Sequence, residues 1–299
     1  MIQIRDINWR HLNGEKFFPF IKLNENNLAE SEQTFVHLQD GFNFNFKLSE
    51  EKFCVGYFTS GEFHKCPIDS ILTNNSYTQC PTCEKIQGFK SAFLFGEEPN
   101  ENAAKHLSQV HYIYLAFFAP DLIKVGTAAE SRKFIRPVEQ DALIFTFIAT
   151  QDGFNIQKLE HTISKRFKIR ETIQSAHKFK HISERPNFER AERSLKDNYR
   201  KIYSALHSEF KNWFYLEDEL KIYNLSDNPE IFYPEKEVTK VRDDYHLVGK
   251  YKGLRGKYLI IENDEAYFAF NIKFLIGRNI ESYVDDYRYK IESDQLKLI

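Results

Sequence analysis

Four cysteines fall within 30 residues of one another, Cys54, Cys66, Cys80 and Cys83, spaced C-x11-C-x13-C-x2-C. Clustered thiols in a reducing compartment favour a metal over disulfides. Cys80-Pro81-Thr82-Cys83 has the form of a metal knuckle, a tight turn that aims two thiolates at one ion. Four thiolates suit tetrahedral Zn2+ in a closed structural site, where the ion serves folding rather than chemistry. Unligated thiols, iron or a redox pair are the alternatives, and His64 could replace one ligand. A second feature is charge. Residues 155–211 hold about 14 Lys or Arg against 7 Asp or Glu. Lys165, Arg166, Lys168, Arg170, Arg185, Arg190, Arg193, Lys196, Arg200 and Lys201 could neutralise the phosphates of a DNA or RNA strand, making binding fall with salt. The competing reading is a solvated face laced with Glu189 and Glu192 by helical pairing.

The elements that must position these residues follow from periodicity. Phe42, Phe44, Phe46 and Leu48 alternate with polar residues at the period of a half-buried strand, and residues 53–58 read as another. Asn100 is placed to cap a short helix over residues 101–109. Two apolar segments, 112–118 and 122–125, flank Ala119-Pro120-Asp121 and predict a β-hairpin. An irregular stretch to about residue 141 leads to a buried strand over 143–149. Ile156, Leu159, Ile163 and Phe167 predict a helix running to about residue 173, with Glu160 at the edge of its apolar face. Phe188, Ala191, Leu195, Tyr199, Ile202, Leu206 and Phe210 predict a second. Pro229 and Pro234 mark a linker over 224–244, and a glycine-punctuated tail suggests a small antiparallel β unit.

The order strand, strand, irregular segment, strand, helix, taken with HYIYLAFFAPDLIKVGT, Arg136 and Glu160, resembles the GIY-YIG nuclease domain over about residues 108–175. Tyr112-Ile113-Tyr114 stands at the first triplet and Lys124-Val125-Gly126 at the second, ten residues on. The resemblance implies catalytic roles for Tyr114, Lys124, Arg136 and Glu160, with Arg132 a rival for the arginine. It implies that Glu160 holds Mg2+ or Mn2+ through oxygen, that Arg136 clamps a phosphate, and that Tyr114 orients or deprotonates the attacking water, helped by the Lys124 ammonium. Two departures stand out: the first triplet has Tyr112 for glycine, and the second has Lys124 for tyrosine, as in KIG-type branches. His111 and His161 flank the pattern. More loosely, the whole chain is similar to a bacterial family of unknown function with such a core.

Read singly, each residue has a plainer role: Tyr114 in the core, Lys124 snorkelling into water, Arg136 solvated, Glu160 pairing with Ser164 or Lys165. The expectation is an α+β protein. A zinc-supported β-rich region spans 1–98, a GIY-YIG-like core of three antiparallel strands and basic helices spans 99–215, and a linker with a small antiparallel β domain spans 216–299. The expected function is metal-dependent endonuclease, the alternative a non-catalytic nucleic-acid-binding protein; a third class is an adaptor or an enzyme on another phosphate. With 299 residues, 42 % hydrophobic, and 43 acidic against 41 basic groups, the composition is that of a globular chain with two or three cores. A net charge of −2 restricts any nucleic-acid surface to a local patch. The longest apolar run, 112–119, is too short to cross a bilayer. Arg5, Asp6 and Arg10 interrupt any apolar leader, so the expected location is the cytoplasm.

Overall fold

The computed structural model describes residues 2–12, 14–25, 34–59, 62–88, 101–119, 121–225, 228–284 and 286–289. Asn100, Pro120 and the boundary at residue 98 lie outside them. The strands are β1 (Ile2–Leu12), β2 (Lys16–Glu25), β3 (Thr34–His37), β4 (Asn43–Lys52), β5 (Tyr57–Thr59), β6 (Glu62–His64), β7 (Val110–Phe118), β8 (Leu122–Ala129), β9 (Ile144–Asp152), β10 (Ile222–Asn224), β11 (Val238–Val241), β12 (His246–Arg255), β13 (Tyr258–Asn263), β14 (Ala266–Asn271) and β15 (Arg278–Tyr283). The helices are α1 (Pro81–Gln87), α2 (Glu101–Leu107), α3 (Ile135–Val138), α4 (Gly153–Phe167), α5 (Ser175–Lys180), α6 (Phe188–Leu206) and α7 (Ile272–Leu275). The chain is α+β, as its sequence indicates.

Two sheets organise it. The central one has four strands in the order β10-β9-β7-β8, antiparallel throughout, because β10 adds to the three strands expected. The other has nine, β11-β14-β13-β12-β4-β15-β1-β2-β3. There β4, from the front of the chain, lies between β12 and β15 of the tail, so the two regions read as separate units share one sheet. The tail is not wholly antiparallel either, since β11 joins β14 in parallel from within the expected linker. Hydrophobic alternation identifies strands but carries no information about which distant strand each one meets.

The central sheet is covered on both faces. Along β7, Ile113, Leu115 and Phe117 face α4 and α6, where they meet Ile156, Leu159, Ile163, Leu195 and Ile202. The alternate residues, Tyr114, Ala116 and Phe118, face a core shared with the nine-stranded sheet. Asp152 caps α4, its carboxylate accepting from the Asn155 amide at 3.0 Å. α4 stops at Phe167, short of the expected residue 173, because Lys168 turns left-handed with φ 58° and the chain then runs beside β8. The Val125 amide donates to the Arg170 carbonyl there at 3.0 Å.

Buried cations tether the loop that leads to Cys80. Lys52 donates to the carbonyls of Asn75, at 2.8 Å, and Lys273. Arg278 donates to the Ser49, Glu50 and Phe274 carbonyls and to the Asn75 side chain. Both cations are 1 % exposed. Burial, aided by Arg278 and Lys273, pulls Lys52 down to about 8 from an ordinary 10.5. Between those two values the unfolded chain binds the proton that the folded chain has released, so stability rises with pH across that window. Urea unfolding of the wild type should therefore show a gain of about 2 kcal/mol from Lys52 between pH 7.5 and 9.5. Lys52→Met should flatten that slope; an unchanged slope in the variant would contradict the assignment.

Candidate active site and metal centre

Tyr114 stands on β7 directly opposite Gly126 of β8, and Lys124 stands opposite Ala116. Both side chains therefore lie on the face turned toward the nine-stranded sheet, next to the edge that β8 forms. The absence of a side chain at Gly126 is what lets them meet. A Cβ there would lie 2.4 Å from the Tyr114 hydroxyl and ring and 2.9 Å from the Lys124 ammonium. The Tyr114 hydroxyl is fully buried and, among the described residues, has no partner at good hydrogen-bond geometry, the Gln140 side chain being the group that acts on it. Lys124, 8 % exposed, forms no hydrogen bond or ion pair among the described residues, and its Nζ lies 5.5 Å from the Tyr114 ring centre.

Glu160, half-buried on α4, reaches this edge from the opposite layer. Its carboxyl is raised to about 7 by burial and by Glu171, against the pull of Lys124 and Arg136. Lys124 is lowered to about 8 by burial, by Arg136 and by Lys178, against Glu160 and Glu171. Tyr114 is pushed well above its ordinary value by burial, with Glu160 and Glu139 adding to it and Arg136 opposing. These mutual effects bring Tyr114, Lys124, Arg136 and Glu160 into one electrostatic neighbourhood. In the unliganded protein they keep the phenol protonated. Lys124 and Glu160 are the groups that titrate near neutrality.

Arg136, on α3, is exposed and bonds Glu139 at 2.6 Å, while Arg132 takes the other oxygen of the same carboxylate. The two candidate arginines thus share one acid. His111 is remote in role: it is buried at the start of β7, with Nδ1 3.0 Å from the Gln109 carbonyl and Nε2 3.3 Å from His106. His161 is exposed, 3.4 Å from Glu171. Sequence reasoning missed Glu171, which the segment after Lys168 carries alongside β8, and Lys178 and Lys257, which reach the site from α5 and the β12–β13 turn. No periodicity marks those positions. Of the basic residues in 155–211, several are engaged: Arg166 with Glu209, Arg190 with Asp121, Lys196 with Glu192, and Arg200 with Asp197 and Glu217.

The four cysteines form a separate centre. Their sulfurs all lie within 4.8 Å of one another and are buried. Cys66 and Cys80 Sγ are 3.8 Å apart, which matches the roughly 3.8 Å edge of a tetrahedron with ~2.3 Å metal–sulfur bonds. Cys80 caps α1 and Cys83 sits in its first turn. Backbone amides point at the sulfurs, Cys80 N to Cys54 Sγ at 3.2 Å and Cys83 N to Cys80 Sγ at 3.5 Å. Burial raises the Cys54 thiol to about 11. At Cys80 burial also opposes ionisation, but the Cys83 amide and the neighbouring thiols outweigh it and bring the group down to about 7. These four buried cysteines could bind a metal such as zinc. His64 is not in the group and stacks on Tyr57 instead.

Gly126→Ala should displace the Tyr114 ring and cost about 1–3 kcal/mol in denaturant unfolding, the range for overpacking. In a Tyr114→Leu background the same change should cost clearly less, because the coupling is between the Cβ and the ring. Additive costs would show that the two residues do not meet.

Among the described residues no helix is long and apolar enough to cross a membrane. No curated protein and no solved structure matches the chain. One family description matches, DUF2797, a protein of unknown function, over residues 41–280. That span runs from β4 into β15 and takes in the cysteine centre, the central sheet and most of the larger one, so the chain belongs to the DUF2797 family.

Proposed function

We propose that the protein is a metal-dependent endonuclease that hydrolyses phosphodiester bonds of DNA or RNA at a diverged GIY-YIG-like site. The observation that supports this reading is that Tyr114 and Lys124 come together across Gly126 at the β8 edge, where Arg136 and Glu160 act on both electrostatically. Buried polar groups without partners are costly, and an incoming phosphate at the recess that Lys124 lines would supply the acceptor its ammonium lacks. Arg136 would add a planar donor pair. The Glu160 carboxylate, raised by Glu171 beside it, is a site where a divalent cation would relieve like-charge repulsion. Such an ion, Mg2+ or Mn2+ held by Glu160, supplies Lewis acidity toward the phosphate oxygens. Lys124, near 8, is still mostly protonated at neutral pH and donates to the phosphate oxygens. Tyr114 keeps its proton and donates. The unpaired basic residues of 155–211 extend the phosphate-binding surface in this reading. Zn2+ on Cys54, Cys66, Cys80 and Cys83 completes it as a structural ion.

One observation favours a second reading, a nucleic-acid-binding protein that does not cleave. Arg136 is already engaged by Glu139, and a lysine replaces the second tyrosine of the GIY-YIG pattern.

Labelled DNA and RNA incubated with Mg2+ or Mn2+ should be cut by the wild type, and Glu160→Ala should lower the rate at least a hundredfold. A variant that cuts as well as wild type would refute the metal role of Glu160. Salt-sensitive binding with no product would select the second reading. Metal analysis should find about one zinc per chain, and a strong chelator should lower the thermal midpoint by several degrees. Less than half an equivalent, or an unchanged midpoint after stripping, would refute the structural ion.

A further inference from the structure

Beside the four residues lies a recess of about 240 Å3, lined on one side by Lys124, Arg136 and Glu171 and on the other by α5 and the β12–β13 turn. Its acids are largely spoken for. Asp141 is paired with Arg255 at 2.6 Å, and Glu139 with Arg136 and Arg132. Arg255, 1 % exposed at its side chain, also donates to the Ile182 and Phe232 carbonyls. It therefore fixes the wall, with four of its five N–H groups engaged. The cations that remain are Lys124, Lys178 and Lys257. Lys178 bonds the Gln140 carbonyl with one of its three protons, and the Lys257 side chain has no ion pair among the described residues. Lys178 is lowered to about 8 by burial, with Lys257 and Arg136 adding to this and Asp141 opposing. Lys257 is lowered by burial and by Lys273 and Arg136, with Glu139 opposing. Like charges gathered in a recess await an anion. The rest of the lining combines polar Gln140, Thr172 and Ser175 with an apolar wall in which Phe179 and Tyr258 stand 4.7 Å apart between ring centres and Ile182 lies in the same lining.

From this pairing of unneutralised ammonium groups with an aromatic wall, we infer that the recess binds one unpaired, phosphate-bearing nucleotide. Lys124, Lys178 and Lys257 take the phosphate, and Phe179, Ile182 and Tyr258 take the sugar and base. Size sets the limit of one. The volume equals that of about eight waters at ~30 Å3 each and falls just below the ~300–1,000 Å3 of pockets for drug-sized ligands. A recess of that size takes one nucleotide, so the strand presents one that is single-stranded or turned out of its stack. The inference rests on the phosphodiester reading of the adjoining site for its substrate, and on the recess alone for its ligand.

The probe is 5′-AMP, measured by calorimetry at low salt beside adenosine and inorganic phosphate. Wild type should bind AMP at least tenfold more tightly than either comparator. Lys257→Gln, at an exposed position that folding does not need, should weaken AMP severalfold, and Lys178→Gln with Lys257→Gln tenfold or more. In cleavage or binding assays a single strand should be preferred at least tenfold over the blunt duplex of the same sequence. AMP binding that the double variant leaves intact would overturn the inference, as would a duplex handled as well as a single strand. If AMP binds through the two lysines but no strand is cut with any metal, the recess stands and the hydrolase reading fails. If Glu160-dependent cleavage occurs without AMP binding, the hydrolase stands and the recess fails.

Discussion

The central sheet is buried on both faces, and most of the chain's polar chemistry follows from that constraint. A strand covered on both sides has no solvent to take its polar groups, so each must find a partner within the protein or sit at an edge. Thr146, fully buried on β9, turns its hydroxyl toward a backbone carbonyl. Among the described residues Lys124 has no such partner for its ammonium, and Tyr114 has none at good geometry. They sit instead where β8 ends the sheet, one strand in and on the edge strand itself. Desolvation pushes the phenol up and the lysine down, so the two are strained toward their neutral forms until a third group joins them.

The same layering explains how Glu160 can take part although it starts on the far side. α4 packs its apolar face on the sheet through Ile156, Leu159 and Ile163. Glu160, adjacent to Leu159, is carried to the margin of that contact. There the edge strand is all that separates the helical layer from the layer of Tyr114 and Lys124. The segment 168–173 then lies along β8 and brings Glu171 to the same margin. Because that bridge occupies the outer side of β8, no further strand adds there. The open edge becomes the rim of a recess, and the larger sheet supplies its opposite wall.

How far the sequence foretold this differs by feature, for physical reasons. Period-two alternation located β4, continuous apolar runs located β7, β8 and β9, and the 3/4 rhythm located α4 and α6, because local burial writes itself into local pattern. Boundaries fared worse. The helix expected to reach residue 173 breaks at Lys168, a lysine in the left-handed region where glycine is the usual signal. β10 is three residues long and is held by its pairing to β9, a long-range contact with no local mark. The cysteine cluster was legible because only four thiols exist and one pair is close-spaced. Lys178 and Lys257 were not, since a lysine lining a recess and a lysine in water look alike in a sequence. The larger sheet hid for the same reason: β4 between β12 and β15 is a property of chain return, which hydropathy does not encode.

That return also links the two centres. Asn75 accepts from Lys52 through its carbonyl and from Arg278 through its side chain, and Ser76 accepts from Lys273 at 3.2 Å. The loop leading into the Cys80 knuckle is thereby fastened to β4, α7 and β15. Breaking one partner of a buried, fully bonded cation is more costly than never having buried it, so the cysteine loop and the closing strand of the larger sheet stabilise each other. β15 lies next to β4, which pairs in turn with β12, the strand whose end carries Arg255 and turns into Lys257. An ion on the four cysteines would thus act at a distance. It would hold the loop, the loop would hold β15, and the sheet would hold the wall that faces Lys124. A structural ion with no open coordination position can in this way bear on the chemistry of a site it never touches.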